Sequence, residues 1–205
     1  MTLPRQLDIT IQKGTTFSLV ERLSLETTPL IYKAITGITA ASPAVITATT
    51  HGVKTGWRVA VVSPGGMRQI KAKYWPLRST DFHTATNTDA NTVTLNEVNS
   101  ADYTAYTSGG KLVYYTPLSL SGCTARMMVR ATDVATGDPL VSLVSPTDIA
   151  LDDTEHTITI TISATATAAY TFATGAYDLE LVVTATGVVT KLLSGNVTVV
   201  AEVTR

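Results

Sequence analysis

The chain has 205 residues, of which 44% are hydrophobic, 15% charged and 6% aromatic, with a net charge of −1. That length gives one to two domains with room for a core in each, and a composition rich in Thr, Val and Ala favours strands over helices and excludes a disordered chain. Near-neutral charge with scattered basic residues argues against nucleic acid as a partner, a single Cys123 excludes an intrachain disulfide framework, and the lack of a long apolar run or apolar leader sets the expectation of no membrane insertion and no secretion.

In chain order, residues 7–13 alternate, with Leu7, Ile9 and Ile11 against Asp8, Thr10 and Gln12. Gly14 separates them from a second alternating run, 17–25, through Phe17, Leu19, Glu21 and Leu23. Residues 28–34 continue as strand, and the pattern then changes. From 36 to about 111 turn signals crowd in, at Ser42-Pro43, His51-Gly52, Ser63-Pro64-Gly65-Gly66 and Ser108-Gly109-Gly110. Short strands are expected between them at 45–50, 58–62, 81–84, 92–95 and 111–115, the spacing of a small barrel or sandwich. After Pro117 the alternation of the opening strands returns. The run 123–131 puts Cys123, Ala125, Met127 and Val129 on one face, 135–139 turns the chain into 140–144, and 156–163 aligns Ile158, Ile160 and Ile162. Residues 164–170 form one helical turn or a crossover loop, capped by Ser163. The last third reads as a meander of three strands, 177–184, 188–193 and 196–203, with turns at 185–187 and at Ser194-Gly195.

This pattern predicts an all-β chain: a discontinuous β-sandwich from residues 1–35 and 116–205, with a small β domain, 36–115, inserted in a loop. The insert's expected core draws on both tryptophans, Trp57 and Trp75, with Tyr74, Phe82, Val59, Val61, Val93, Leu95 and Val113.

Two stretches resemble known families. Ala44-Val45-Ile46-Thr47, His51-Gly52, Thr55-Gly56-Trp57-Arg58-Val59, Gly65-Gly66-Met67 and Tyr106-Thr107-Ser108-Gly109-Gly110 are similar to small β modules of bacteriophage tail proteins. Those modules are themselves likened to the first catalytic-cysteine half-domain of ubiquitin-activating enzymes. The likeness implies a barrel-like fold and no such activity, since the segment has no cysteine. It departs at 71–78, where such modules usually carry an Asn-Gly-rich turn. The outer part resembles immunoglobulin-like proteins of tailed phages, through Leu120-Ser121-Gly122-Cys123, Tyr177-Asp178-Leu179-Glu180-Leu181, Leu193-Ser194-Gly195-Asn196-Val197 and the ending Glu202-Val203-Thr204-Arg205. That resemblance implies an immunoglobulin-like sandwich with a structural role in a virion assembled in the host cytoplasm. It implies contacts with other virion proteins and with copies of the chain itself, and it brings no catalytic residues and no cofactor.

Several residues invite a site reading. His51 beside Gly52 lacks a second ligand at metal spacing and reads as a turn residue. Asp152, Asp153 and Glu155 lack the glycine and spacing of a calcium loop and read as a solvated turn. Gly65-Gly66 is followed by Met67 rather than by Lys-Ser, so it is a hairpin turn and not a phosphate loop. No serine sits in a nucleophile elbow, and Cys123 falls on an inward face, so a non-enzymatic protein is expected. Arg126 and Arg130 share a face with Met128, either a contact surface or the solvent side of a sheet. The segment 71–78, KAKYWPLR, concentrates Tyr74, Trp75 and Arg78, residue types enriched at interface centres. Either this loop docks on a partner or Trp75 fills the insert's core. The expectation is a structural component of tail, baseplate or fibre attachment. A capsid decoration or head–tail joining protein, or a module binding a host-surface glycan or receptor, is the alternative.

Overall fold

A computed structural model describes residues 4–22, 24, 29–133 and 137–202. In chain order its strands are β1 (Arg5–Gln6), β2 (Ile9–Gln12), β3 (Phe17–Arg22), β4 (Leu30–Ala34), β5 (Gly37–Ile38), β6 (Ala44–Thr47), β7 (Arg58–Val62), β8 (His83–Asn87), β9 (Thr92–Leu95), β10 (Lys111–Tyr115), β11 (Cys123–Arg130), β12 (Val141–Val144), β13 (Ile149–Asp152), β14 (Thr157–Ile162), β15 (Thr174–Val183) and β16 (Val189–Val200). One short helix, α1 (Ala164–Ala168), follows Ser163, whose hydroxyl accepts from Ala166 N at 3.2 Å. The chain divides into two compact units, Met1–Leu23 with Pro117–Arg205, and Ser24–Thr116.

In the first unit a six-stranded sheet runs β1-β16-β15-β11-β12 with β2 also on β16, and a three-stranded sheet runs β13-β14-β3. Their inward residues form one apolar cluster. Ile9, Ile11, Met127, Leu179 and Leu193 come from the larger sheet, and Ile149, Ile158 and Ile160 from the smaller. The alternation that predicted those faces is the pleat itself: in β11 Ala125, Met127 and Val129 are buried while Thr124 and Arg126 are exposed.

The expected three-stranded C-terminal meander is instead a long hairpin. β16 passes straight through Ser194-Gly195, which the sequence marks as a turn. Gly195 is needed there because the N-terminal strand crosses so closely that a Cβ would meet the Leu7 carbonyl and come within 3.1 Å of Asp8 Oδ1. β1 and β2 pair with β16 in parallel, Arg5 beside Leu193 and Ile9 beside Val197. Tyr177 fastens the same crossing. Its hydroxyl donates to Leu7 O at 2.7 Å, and burial, helped by the nearby Glu21 charge, pushes its phenol up to about 12. Glu21 on β3 is itself buried and accepts from Arg5 at 2.6 Å. Burial raises its pKa despite the guanidinium's pull.

The second unit holds a seven-stranded sheet in the order β4-β10-β7-β8-β9-β6-β5. Here the sequence boundary needs correction. Strand β4, expected in the outer sandwich because 28–34 continues its alternation, pairs along its whole length with β10, Tyr32 opposite Val113, and so belongs to the second unit. No pairing of β4 with β5 closes this sheet into a barrel among the described residues. Both edges nevertheless come from one extended stretch: Ile35 N donates to Gly110 O at 3.2 Å and Thr36 N to Thr47 O at 2.9 Å. The unit has its own core, built on Ile46, Val59, Met67, Leu95, Leu112 and Tyr114, with Trp57 packed against it. The expected turn at 135–139 and the ending at 202–205 lie partly outside the described residues, as do Leu23 and Leu25 of the second alternating run.

Candidate functional site

The loop joining β7 to β8 carries the residues singled out in the sequence. Trp75 is 71% exposed and Tyr74 43%, so neither fills the core, and of the two places the sequence left open for Trp75 the core is excluded. Pro76, Arg78, Lys71 and Lys73 are exposed beside them. The reason is local: the core is already filled from the strands, and the loop is held by polar contacts instead.

Asp81 is the centre of those contacts. It is 5% exposed, and its Oδ1 accepts from Lys73 N at 2.7 Å while Oδ2 accepts from Arg78 N at 2.9 Å. Burial alone would raise its pKa. The backbone N–H groups of Arg78, Lys73 and Tyr74, with the Arg78 guanidinium, outweigh burial and hold it below the ordinary value. One carboxylate therefore gathers both limbs of the loop. Arg58 of β7 adds a second brace, donating to Ser79 O at 2.9 Å and Phe82 O at 2.6 Å. Phe82 is buried and stacks on Tyr115 of β10, centroids 5.3 Å apart. At the tip the Arg78 guanidinium carbon lies 4.1 Å from the Tyr74 ring centroid, a cation–π contact worth about 0.5–1 kcal/mol at an exposed site. The result is an aromatic and cationic tip on a fixed base.

The start of the same connection is tied to the stretch before β10. Gly65 N donates to Ser108 O at 2.7 Å and Thr107 N returns a bond to Gly65 O at 3.0 Å. Gly66 adopts φ +78°, and a Cβ there would run into the Ala105 carbonyl. The Gly65-Gly66 pair thus serves loop packing.

Arg126 and Arg130 lie in the other unit, on the outward face of the six-stranded sheet, in a polar groove of about 680 Å³. Their charges are engaged within the fold. Arg126 Nε meets Glu180 Oε2 at 2.7 Å, and Arg130 donates to Gly137 O at 2.5 Å and contacts the Met128 sulfur at 3.7 Å. Lys191 pairs with Asp178 at 2.7 Å on the same face. Such exposed pairs contribute about 0–1 kcal/mol each.

His51, expected as a plain turn residue, is fully buried. Its Nδ1 accepts from Val53 N at 3.0 Å, which leaves the proton on Nε2 to donate to Asp89 O at 2.9 Å and Thr92 O at 3.2 Å. The Tyr114 hydroxyl donates to the His51 carbonyl at 2.5 Å, so the ring and backbone lock the β8–β9 turn to the core. The acidic turn carries similar internal roles. Asp152 Oδ1 accepts from Thr154 N and Glu155 N, and Asp153 Oδ1 from Leu120 N and Ser121 N; the Leu120 bond is the main reason Asp153 sits below its ordinary pKa. No group of three metal-ligating side chains converges among the described residues. Cys123, expected to be buried, is half-buried at the start of β11, with its thiol 3.5 Å from Ser121 O.

Sequence reasoning missed Asp81 and Arg58, and it read His51 as a turn residue without its burial. Asp81 reaches back to the Arg78 N–H at the start of the turn Ser79–Asp81, the acidic half of a capping box, but Arg78 stands where the Ser or Thr that marks such a box in sequence would be. No protein-family model matches the chain, and no curated protein matches its sequence. No helix among the described residues is long and apolar enough to cross a membrane.

Proposed function

We propose that this chain is a non-enzymatic structural component of a tailed-phage virion, in the tail, baseplate or fibre-attachment region, and that it works through protein–protein contacts. In this reading the first unit is an immunoglobulin-like sandwich and the second a small barrel-like module inserted into it. The observation that carries the contact role is the braced tip: an indole 71% exposed, with a tyrosine and an arginine stacked beside it, on a loop whose base is fixed by Asp81. Exposed aromatics of this kind gain most when a partner buries them, and a loop fixed beforehand loses little entropy on docking. The resemblance of both stretches to phage proteins supplies the virion context.

The test is a pair of variants, Trp75→Ala and Arg78→Ala. Each should leave the isolated chain with unchanged melting and reduce its incorporation into particles, since an interface-centre aromatic or arginine is worth about 2 kcal/mol or more. Normal incorporation of both rejects the docking loop. The second reading, a module that binds a host-surface glycan, is favoured by the same exposed indole, whose flat face suits a sugar ring.

A further inference from the structure

Charge in this chain is divided between its two units. Ser24–Thr116 holds eight Lys and Arg against five Asp and Glu, a net +3, whereas the rest of the chain holds seven against eleven, a net −4. The basic residues that look scattered along the sequence concentrate around the candidate loop. Between Lys54 and Thr80 there are six Lys and Arg and no Asp or Glu. The next acid, Asp81, is buried and faces the loop's own N–H groups, so it does not display its charge outward. Arg68, Lys71, Lys73 and Arg78 are all exposed in the same connection that carries Tyr74 and Trp75, and Arg78 lies over the Tyr74 ring.

In the first unit the pairs Arg5–Glu21, Arg126–Glu180 and Lys191–Asp178 cancel locally. The excess negative charge remains on carboxylates such as Asp148, Asp152 and Asp153, whose oxygens take backbone N–H groups, with His156 3.9 Å from Asp153.

We propose that the loop around Trp75 docks on the acidic unit of a second copy of the same chain, head to tail. This rests on the contact role given under Proposed function and names the partner of that loop. Opposite charge steers the encounter and fixes orientation, while the aromatic tip supplies the buried anchor. Loop-to-loop pairing would set cations against cations and is disfavoured. Because donor and acceptor surfaces differ, the contact is heterologous and builds a ring or an open row of copies rather than a closed pair.

The test uses the full-length chain in sedimentation velocity over a concentration series at low and high salt. Association is expected at low salt, weakening at least about tenfold at high salt as the charges are screened. Trp75→Ala should weaken it about thirtyfold at fixed salt. The combined variant Arg68→Glu, Lys71→Glu, Lys73→Glu should be monomeric alone yet still bind wild type and shorten its assemblies, because its acidic unit is intact. Lys71→Gln with Lys73→Gln, which adds no new charge, should fall between the two. A wild type monomeric at every concentration overturns the proposal, as does a combined variant that associates like wild type or fails to shorten wild-type assemblies. Binding of an acidic polysaccharide by a chain that stays monomeric also overturns it and assigns the loop to sugar. A monomeric chain whose loop variants still lose particle incorporation sinks the self-contact alone, whereas normal incorporation of those variants sinks the docking role itself.

Discussion

Replacing Asp81 with Ala should release the loop without unfolding the unit that carries it. The carboxylate accepts from Lys73 N at 2.7 Å and Arg78 N at 2.9 Å, and a charged hydrogen bond contributes about 1.5–3 kcal/mol when its partner is removed. Lys73 and Arg78 are exposed, so water recovers part of that loss. About 2–4 kcal/mol of local stability should remain missing. The core on Ile46, Val59 and Leu95 does not include Asp81, so the global transition should move much less. Hydrogen exchange separates the two effects, because local opening is read amide by amide. The amides of 73–78 should exchange about thirtyfold faster or more in Asp81→Ala, with those of β7 and β9 unchanged. Unchanged protection across 73–78 would refute the claim that one carboxylate fixes this loop, and with it the argument that the tip is set before docking.

Three further outcomes follow from the same geometry. Asp81 has a folded pKa below its ordinary 3.8, so its contribution is fully present above that value and is lost as pH falls through the folded value; exchange at 73–78 should accelerate only at pH below about 4, and not at all in Asp81→Asn. Ile160→Asp places a charge at a fully buried position of β14, which costs several kcal/mol and should abolish the cooperative melting of the first unit; an unchanged midpoint would contradict the face assignment. Replacing Ser24–Thr116 with a short Gly-Ser linker should leave the first unit folded, whereas removing only 37–113 strips β4 of three of its five β10 partners, Lys111, Leu112 and Val113, and should expose an aggregation-prone edge; equal solubility of the two deletions would contradict the pairing.

The alternating strands were legible because each pleated run buries one face: Met127 and Val129 in β11, Ile158 and Ile160 around β14, and Leu179 and Leu181 in β15 all lie where period two puts them. What period two does not carry is the partner. Leu30–Ala34 look like the strands before them, yet they pair with β10, about eighty residues further on, and pairing at that distance leaves no local mark. Ser194-Gly195 shows the same gap from the other side. A glycine reads as a turn in one dimension, but here it makes room for Leu7, which lies far away in sequence. Of the candidate site, the residue types were legible and their exposure was not. Trp75 has the composition of a core residue, and it is exposed because Asp81 and Arg58, two polar side chains, hold the loop in the place of apolar packing.

The central claim is that the chain is a built-in part of a virus particle. Quantitative mass spectrometry of gradient-purified particles tests it most directly. A structural subunit should be present at a fixed copy number per particle that stays the same from one preparation to the next. Its absence from purified particles, or a copy number that varies between preparations, would contradict the account.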